Sequence, residues 1–411
     1  MINGKDREIL RQVAYRKASF AHSPENDPIM KKWQALGRSE KTTPTVRLLF
    51  SNFTDEVIDK RMKCEGDEAR ILERMLLSSL VGRELFGDDT PLSGTFDIPR
   101  KIWAHPFGIK PDLSRPENGS KKGFHINPVI ENYEADAVKL GKGSFGADTE
   151  AEDRLVESAD VVFGDILPAR LVMPSLTGAI TNPLVMLSGM ENYYLAMYDA
   201  PDTLHRIMEN ATSLYEEFYD FLERERLLLP TVGTAPVAQE SFAFCSELPE
   251  DRAVKTTDCW GFLESQETTA VSPDTFGEFV FPYQDRLVKR FGLLSYGCCE
   301  RVDAIFPDYL SKWKNLRKLS VSPFNDENAV GEYLRDTNIV YYSKPRAEFV
   351  TMPGPLDENA LIKYFRGVCE AASGCLFEIA QREVGTIFGD YDRGRRYVEI
   401  AKECVGKYWK P

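Results

Sequence analysis

Residues 293–321 read LLSYGCCERVDAIFPDYLSKWKNLRKLSV, and this stretch decides the fold. Residues 293–298 are short and apolar, as a buried strand is. Residues 303–314 carry Ile305, Tyr309, Leu310 and Trp313 at helical spacing, and 316–321 alternate like a second strand. The rhythm continues downstream: 327–334 predict a helix, 339–343 a strand ending at Lys344-Pro345, 356–371 a helix, 375–379 a strand and 392–407 a helix. Four strand-then-helix units with short connections imply parallel strands joined by right-handed crossovers.

Upstream, 202–226 predict a long amphipathic helix opened by Pro201 and Asp202, and 228–232 and 259–263 are strand candidates. Residues 272–291 predict another helix, with Ser272-Pro273 at its start. About eight βα units then fit between 155 and 407, so the expected architecture is α/β, a (β/α)8 TIM barrel over 151–411. An open doubly wound sheet is the structural alternative, but it comes without a strand-linked Gly-rich phosphate loop. Residues 1–150 predict an N-terminal helical and irregular cap. There 67–86 show helical spacing, and 100–142 mix Trp103 and Phe107 with Gly108, Pro111, Pro116, Gly119 and Gly123.

The chain has 411 residues, 43% of them hydrophobic and 28% charged, ordinary for a soluble globular protein. Its net charge of −13 repels phosphate backbones, so nucleic-acid binding is not expected. The first ten residues are rich in charge and lack a signal-like apolar stretch, and no apolar run approaches a bilayer span. A cytoplasmic protein without membrane contact is expected. Eight cysteines are too few and too scattered for a disulfide scaffold, which leaves free thiols, core filler or metal ligands.

In barrels of this kind the chemistry sits at the C-terminal ends of the strands. Those ends offer Tyr296, Cys298, Cys299 and Glu300; Glu264-Ser265-Gln266-Glu267; Ser322-Pro323; Lys344; and Gly374-Cys375. Cys298 and Cys375 lie 375 − 298 = 77 residues apart, too far for a local knuckle but a separation a barrel can close. Two thiolates plus one N or O ligand and an open position make a catalytic zinc pattern. None of His22, His105, His125 and His205 is near these strands in sequence, so Glu300, Glu267 or Cys299 must complete the set. The plainer expectation for each residue stands beside this: buried small thiols, carboxylates at a helix start or the surface, and Tyr296 as a core aromatic.

A family resemblance adds to this reading. Asp258-Cys259-Trp260-Gly261-Phe262, Ser265-Gln266-Glu267, Ser272-Pro273 and Tyr296-Gly297-Cys298-Cys299-Glu300 are among the residues that carry it. Leu316-Arg317, Ser320-Val321-Ser322-Pro323 and Lys344-Pro345 extend it. Over about 100 to 405 the chain resembles the uroporphyrinogen decarboxylase superfamily, and in particular its branch of corrinoid-dependent methyltransferases of anaerobes. The resemblance implies the barrel, and zinc or another divalent metal on Cys298 and Cys375, with Tyr296 standing where the family has His; Glu300 is the candidate third ligand. The catalytic candidates are Glu267, Gln266 and Tyr296, and the resemblance implies methyl transfer between a small methylated substrate, a methoxy compound for instance, and cobalamin on a separate corrinoid protein. His105-Pro106-Phe107-Gly108 has Trp103 where a corrinoid-ligating motif has Asp, consistent with a cofactor carried by the partner. Related barrels often pair as homodimers. The Arg-rich segment that binds porphyrin carboxylates in the decarboxylases is absent. Two alternatives remain: a metal-independent decarboxylase or lyase using Lys344 or Arg317 with Glu267, and a non-catalytic tetrapyrrole- or corrinoid-binding protein.

Overall fold

A computed structural model describes residues 2–115 and 123–411; Pro116 and Gly119 of the expected cap lie outside the described residues. The strands in chain order are β1 (Thr45–Leu48), β2 (Phe96–Pro99), β3 (Ile102–His105), β4 (Asp112–Ser114), β5 (His125–Asn127), β6 (Ser144–Ala147) and β7 (Ala169–Val172). There follow β8 (Leu176–Thr177), β9 (Gly233–Val237), β10 (Ser241–Ala243), β11 (Trp260–Leu263) and β12 (Leu293–Tyr296). The last three are β13 (Leu316–Val321), β14 (Val340–Ser343) and β15 (Leu376–Gln381).

Seven strands form one sheet in the order β1-β15-β14-β13-β12-β11-β8, and every pairing in it is parallel. β2 and β7 pair in parallel outside it. The α/β alternation expected from 293 onward is therefore present. Its helices start where short acidic side chains supply caps: Asp326, Asp357 and Asp390 accept backbone N–H bonds at the starts of Glu327–Leu334, Glu358–Ala371 and Tyr391–Tyr408. Among the described residues no helix is long and apolar enough to cross a membrane.

Four local expectations are corrected. The first hundred residues are not only helices and loops: Thr45–Leu48 pairs with the final strand, Thr45 opposite Glu378. All four residues are buried, but so short a strand containing Arg47 leaves no readable alternation. Residues 228–232 form no strand, because Pro230 cannot donate to a ladder; the strand begins at Gly233 and turns back as the antiparallel hairpin β9–β10. The helix expected over 303–314 breaks into Val302–Ile305 and a turn at Leu310–Lys312, with Pro307 between them. The one expected over 272–291 splits into Pro273–Phe279 and Phe281–Val288, with Pro282 in the first turn of the second.

The two faces of the sheet are filled differently. On one, Trp260 and Leu293 pack with Ala235, Val237 and Ala243 of the hairpin, while Val340 and Leu376 pack with Trp33, Leu36 and Phe242. Leu263, Leu294, Tyr296, Leu319, Tyr341 and Phe377 turn the other way, into the main apolar cluster shared with the helices. Strand alternation produces this sorting, one residue to each face in turn. A polar group lies on the hairpin side: Lys318 Nζ is 2.9 Å from Glu378 Oε2, and both bond the Ser241 hydroxyl.

Candidate functional site

The loops that follow the C-terminal ends of β11 to β15 gather a cluster of ionisable and nucleophilic side chains. Gly297, at φ 100°, lets the chain leave β12 abruptly, a backbone region that favours glycine. Glu300 then folds back under the loop. Its Oε1 accepts from the Ser265 amide at 2.8 Å and its Oε2 from the Cys298 amide at 2.6 Å, which ties the ends of β11 and β12 together. The Cys298 carbonyl accepts from Ser320 Oγ at 3.0 Å and from Lys344 Nζ at 3.0 Å, and the Cys299 carbonyl from Ser322 Oγ at 3.1 Å. The two thiols thus stand on a fixed backbone, their sulfurs 3.7 Å apart.

Electrostatics separates the members of this cluster. Glu264, only 4% exposed, has its pKa raised well above 4.5, first by burial and then by the neighbouring carboxylates Glu267 and Glu300. Burial also raises Glu300, against the two backbone N–H donors that favour its charge. Cys299, half-buried, is lowered to about 7 by the hydrogen bond from Cys298, with the Lys344 ammonium adding to the effect. Cys298, the more buried donor of the pair, moves up. Burial lowers Lys344, whose other hydrogen bond goes to Gln239 Oε1 at 2.7 Å. Gln239 lies at the turn of the β9–β10 hairpin and also accepts from Arg382, just past β15.

Several expected site residues are elsewhere. Tyr296 points into the helix layer, where its hydroxyl meets Ser265 Oγ at 2.9 Å and Gln284 Oε1 at 3.3 Å and its ring sits edge-on to Trp313. It is fully buried core, away from the thiols. Glu267 is near the cluster, but both its oxygens are occupied, by Thr181 Oγ1 and Asn182 Nδ2 at 2.8 Å each. It anchors the start of the helix Thr181–Asp199. Gln266 is half-buried, and its backbone amide donates to Glu264 Oε2 at 2.9 Å. Glu264 is the residue that sequence reasoning set aside as a helix-start or surface carboxylate. The signal available was its place directly after a fully buried strand, WGFL, where a carboxylate seldom reaches water.

Cys298 and Cys375 do not meet. Ser295, Lys318, Val340 and Leu376 lie in register across β12, β13, β14 and β15. Cys375 precedes that line by one residue and Cys298 follows it by three, so about 13 Å of strand rise separates them, with three strand spacings of about 4.8 Å sideways. Two thiolates on one zinc at about 2.3 Å each cannot span this. Cys375 sits among the helices at the opposite end of the strands, its sulfhydryl donating to the Gly331 carbonyl at 3.4 Å, and burial raises it to about 11. Glu300, with both oxygens on backbone amides, is not an open ligand either. Among the described residues no group of three or more His, Cys, Asp or Glu is arranged to hold a metal ion. The zinc set of Cys298, Cys375 and Glu300 does not fit this structure.

No family model and no curated protein matches the chain. Among solved structures, a methyltransferase from Methanosarcina mazei is similar at TM-score 0.49 and 12% identity, over 91% of this chain and 98% of that one. At that level the likeness assigns neither fold nor activity.

The contrast between the thiols is measurable. Cys299 lines a cavity and ionises near neutrality, so iodoacetamide at neutral pH is expected to alkylate it at least about tenfold faster than Cys375. Peptide mass mapping over time reads this directly. Equal rates at the two positions would mean that Cys299 is not the activated thiol.

Proposed function

We propose that this chain is a methyltransferase that takes a methyl group from a small methylated substrate, a methoxy compound in the first instance, and passes it to a corrinoid carried on a separate protein. The seven-stranded parallel sheet is, in this reading, an incompletely closed (β/α)8 barrel, and the cluster after β11 and β12 is its reacting site. The observation that carries the proposal is Glu264, a buried carboxyl just after β11 whose hold on its proton is strengthened by burial and by Glu267 and Glu300, with Cys298 among its neighbours. Removing a methyl group from an ether oxygen leaves an alkoxide or phenoxide, a poor leaving group until it is protonated. Glu264 supplies that proton to the leaving oxygen, becoming a carboxylate as the alcohol forms. With no fitting metal set, the heteroatom is activated by a proton and not by a Lewis acid. A partner's corrinoid would supply the acceptor of the methyl group.

The cap and the helix start at Asn182, which bonds Glu267, enclose a cavity of about 430 Å³ lined by His105, Phe107, Ile109, Pro183, Met186 and Leu187, among others. Its apolar wall suits the body of such a substrate. A second reading has one specific observation behind it: Lys344 and Arg382 converge on the neutral oxygen of Gln239. Cations placed so could hold a carboxylate in a decarboxylase or lyase, with Glu264 again as proton donor. Anaerobic assay with chemically reduced cobalamin and a panel of methoxylated, N-methylated and S-methylated compounds separates the two. Methyl transfer is read as the change in corrinoid absorbance, and carbon dioxide release is read on the same samples. Release of carbon dioxide without any corrinoid change across the panel would overturn the first reading.

A further inference from the structure

We propose that the cavity of about 220 Å³ between the ends of β13, β14 and β15 is a carboxylate-binding subsite built on Lys344 and Arg382, so that the substrate of the strand-end site is a small carboxylic acid anion. This deepens the functional reading above, since it rests on that cluster being the reacting site.

Lys344 lacks the counter-charge its burial demands, while Arg382 keeps two long ion pairs, to Glu240 at 3.5 Å and Glu383 at 3.8 Å. Lys344 is 5% exposed, and its ammonium bonds only two neutral oxygens, Gln239 Oε1 and the Cys298 carbonyl. Among the described residues no carboxylate lies within ion-pair distance of it. A buried charge without a partner is costly, and a neutral amide offsets only part of that cost. Arg382 shares the same Gln239 oxygen. Its buried Nε has no hydrogen bond, the nearest carboxylate, on Glu240, being 3.5 Å away. Of the lining carboxylates, Glu348 pairs with Arg346 at 3.4 Å, and Glu383 faces Arg382 at 3.8 Å while accepting from Asn52 at 3.2 Å, so neither reaches Lys344. Cys299 is the remaining lining group able to carry negative charge.

The backbone that presents Gln239 supports the same assignment. Gln239 and Glu240 stand at φ 66° and 65°, a left-handed turn without glycine. Such strain persists where the surroundings over-determine it, commonly at ligand clamps. The turn delivers one amide oxygen between two cations. An arriving carboxylate, with two oxygens and a full charge, satisfies the ammonium and the guanidinium better than that oxygen does. The volume admits a carboxylate with one ring or a short chain.

Isothermal titration of the full chain with benzoate tests this, with benzamide and inorganic phosphate as the other probes. Saturable benzoate binding is expected, with benzamide at least about tenfold weaker and K344M losing at least about tenfold. Gln239→Glu places a carboxylate on both cations from within, so it is expected to abolish benzoate binding while raising Tm. That variant keeps the test decisive if K344M does not fold. Benzamide binding as tightly as benzoate, phosphate binding more tightly than benzoate, or Q239E retaining benzoate affinity would each overturn the assignment. Binding is read without turnover, so a chain that binds benzoate but transfers no methyl group loses the functional reading and keeps this one.

Discussion

Glu264→Gln lowers kcat for methyl transfer by roughly 10²–10⁴-fold, the usual worth of a positioned proton donor, and leaves the KM of the methylated substrate within about threefold. The amide matches the acid in size and can still accept from the Gln266 amide, so the loss belongs to the proton. The pH profile gives a second signature. Because burial and two neighbouring carboxylates raise Glu264, wild-type kcat/KM is flat on the acid side and falls as pH rises through that raised value. The variant loses this limb. Wild-type stability falls with rising pH as well. A carboxyl raised in the folded state binds its proton more tightly there than in the unfolded chain, so folding loses stability as pH rises from about the ordinary 4.5 through the folded value. The neutral amide of E264Q carries no such penalty. At neutral pH E264Q is expected to have a urea midpoint at or above that of wild type, which separates lost chemistry from lost folding. Full activity in E264Q would remove Glu264 from the mechanism.

The largest stability effect is expected within the sheet, at Glu378→Ala. Glu378 is fully buried and its carboxylate faces Lys318, itself 3% exposed, with Ser241 bonding both. Removing the carboxylate leaves the ammonium with one hydroxyl and the faces of Trp33 and Trp260, 5.5 Å and 5.9 Å from the ring centroids. A broken buried pair typically costs about 3–5 kcal/mol, because the surviving charge is stranded. The double variant K318M/E378L, apolar at both positions, is expected to recover most of that loss. Urea unfolding of the single and double variants checks both. A loss below about 1 kcal/mol in E378A would mean that the interior admits water or that Lys318 is neutral. The group matters for function through position: it holds Ser241 and hence the β9–β10 hairpin, whose turn presents Gln239 to Lys344.

Much of the candidate site was legible as a set of strand ends. Glu264 to Glu267, Cys298 to Glu300 and Lys344 all fall in the loops after parallel strands. Tyr296 was misplaced because alternation alone does not say which face meets the helices, and Ser295 and Tyr296 take opposite ones. Cys375 was misplaced for a reason that could have been read: it precedes its strand. In a parallel sheet the start of one strand and the end of another lie at opposite edges, whatever the barrel does. The upward shift of Glu264 was not legible locally, because it comes mainly from burial and partly from Glu300, which belongs to the loop after a different strand.

By itself the sequence determined the alternation of strand and helix from 293 to 408, since buried strands, amphipathic helices and Asp caps each leave a pattern within a few residues. It also placed Glu264 to Glu267, Cys298 to Glu300 and Lys344 after strands, though not Arg382. Only the tertiary structure decided that Thr45–Leu48 lies beside Leu376–Gln381, that a hairpin fills one face of the sheet, and that Lys344 and Arg382 share one amide oxygen. Those contacts join residues far apart along the chain or set a charge against its neighbours, and such free energies depend on distance and burial that no local pattern encodes.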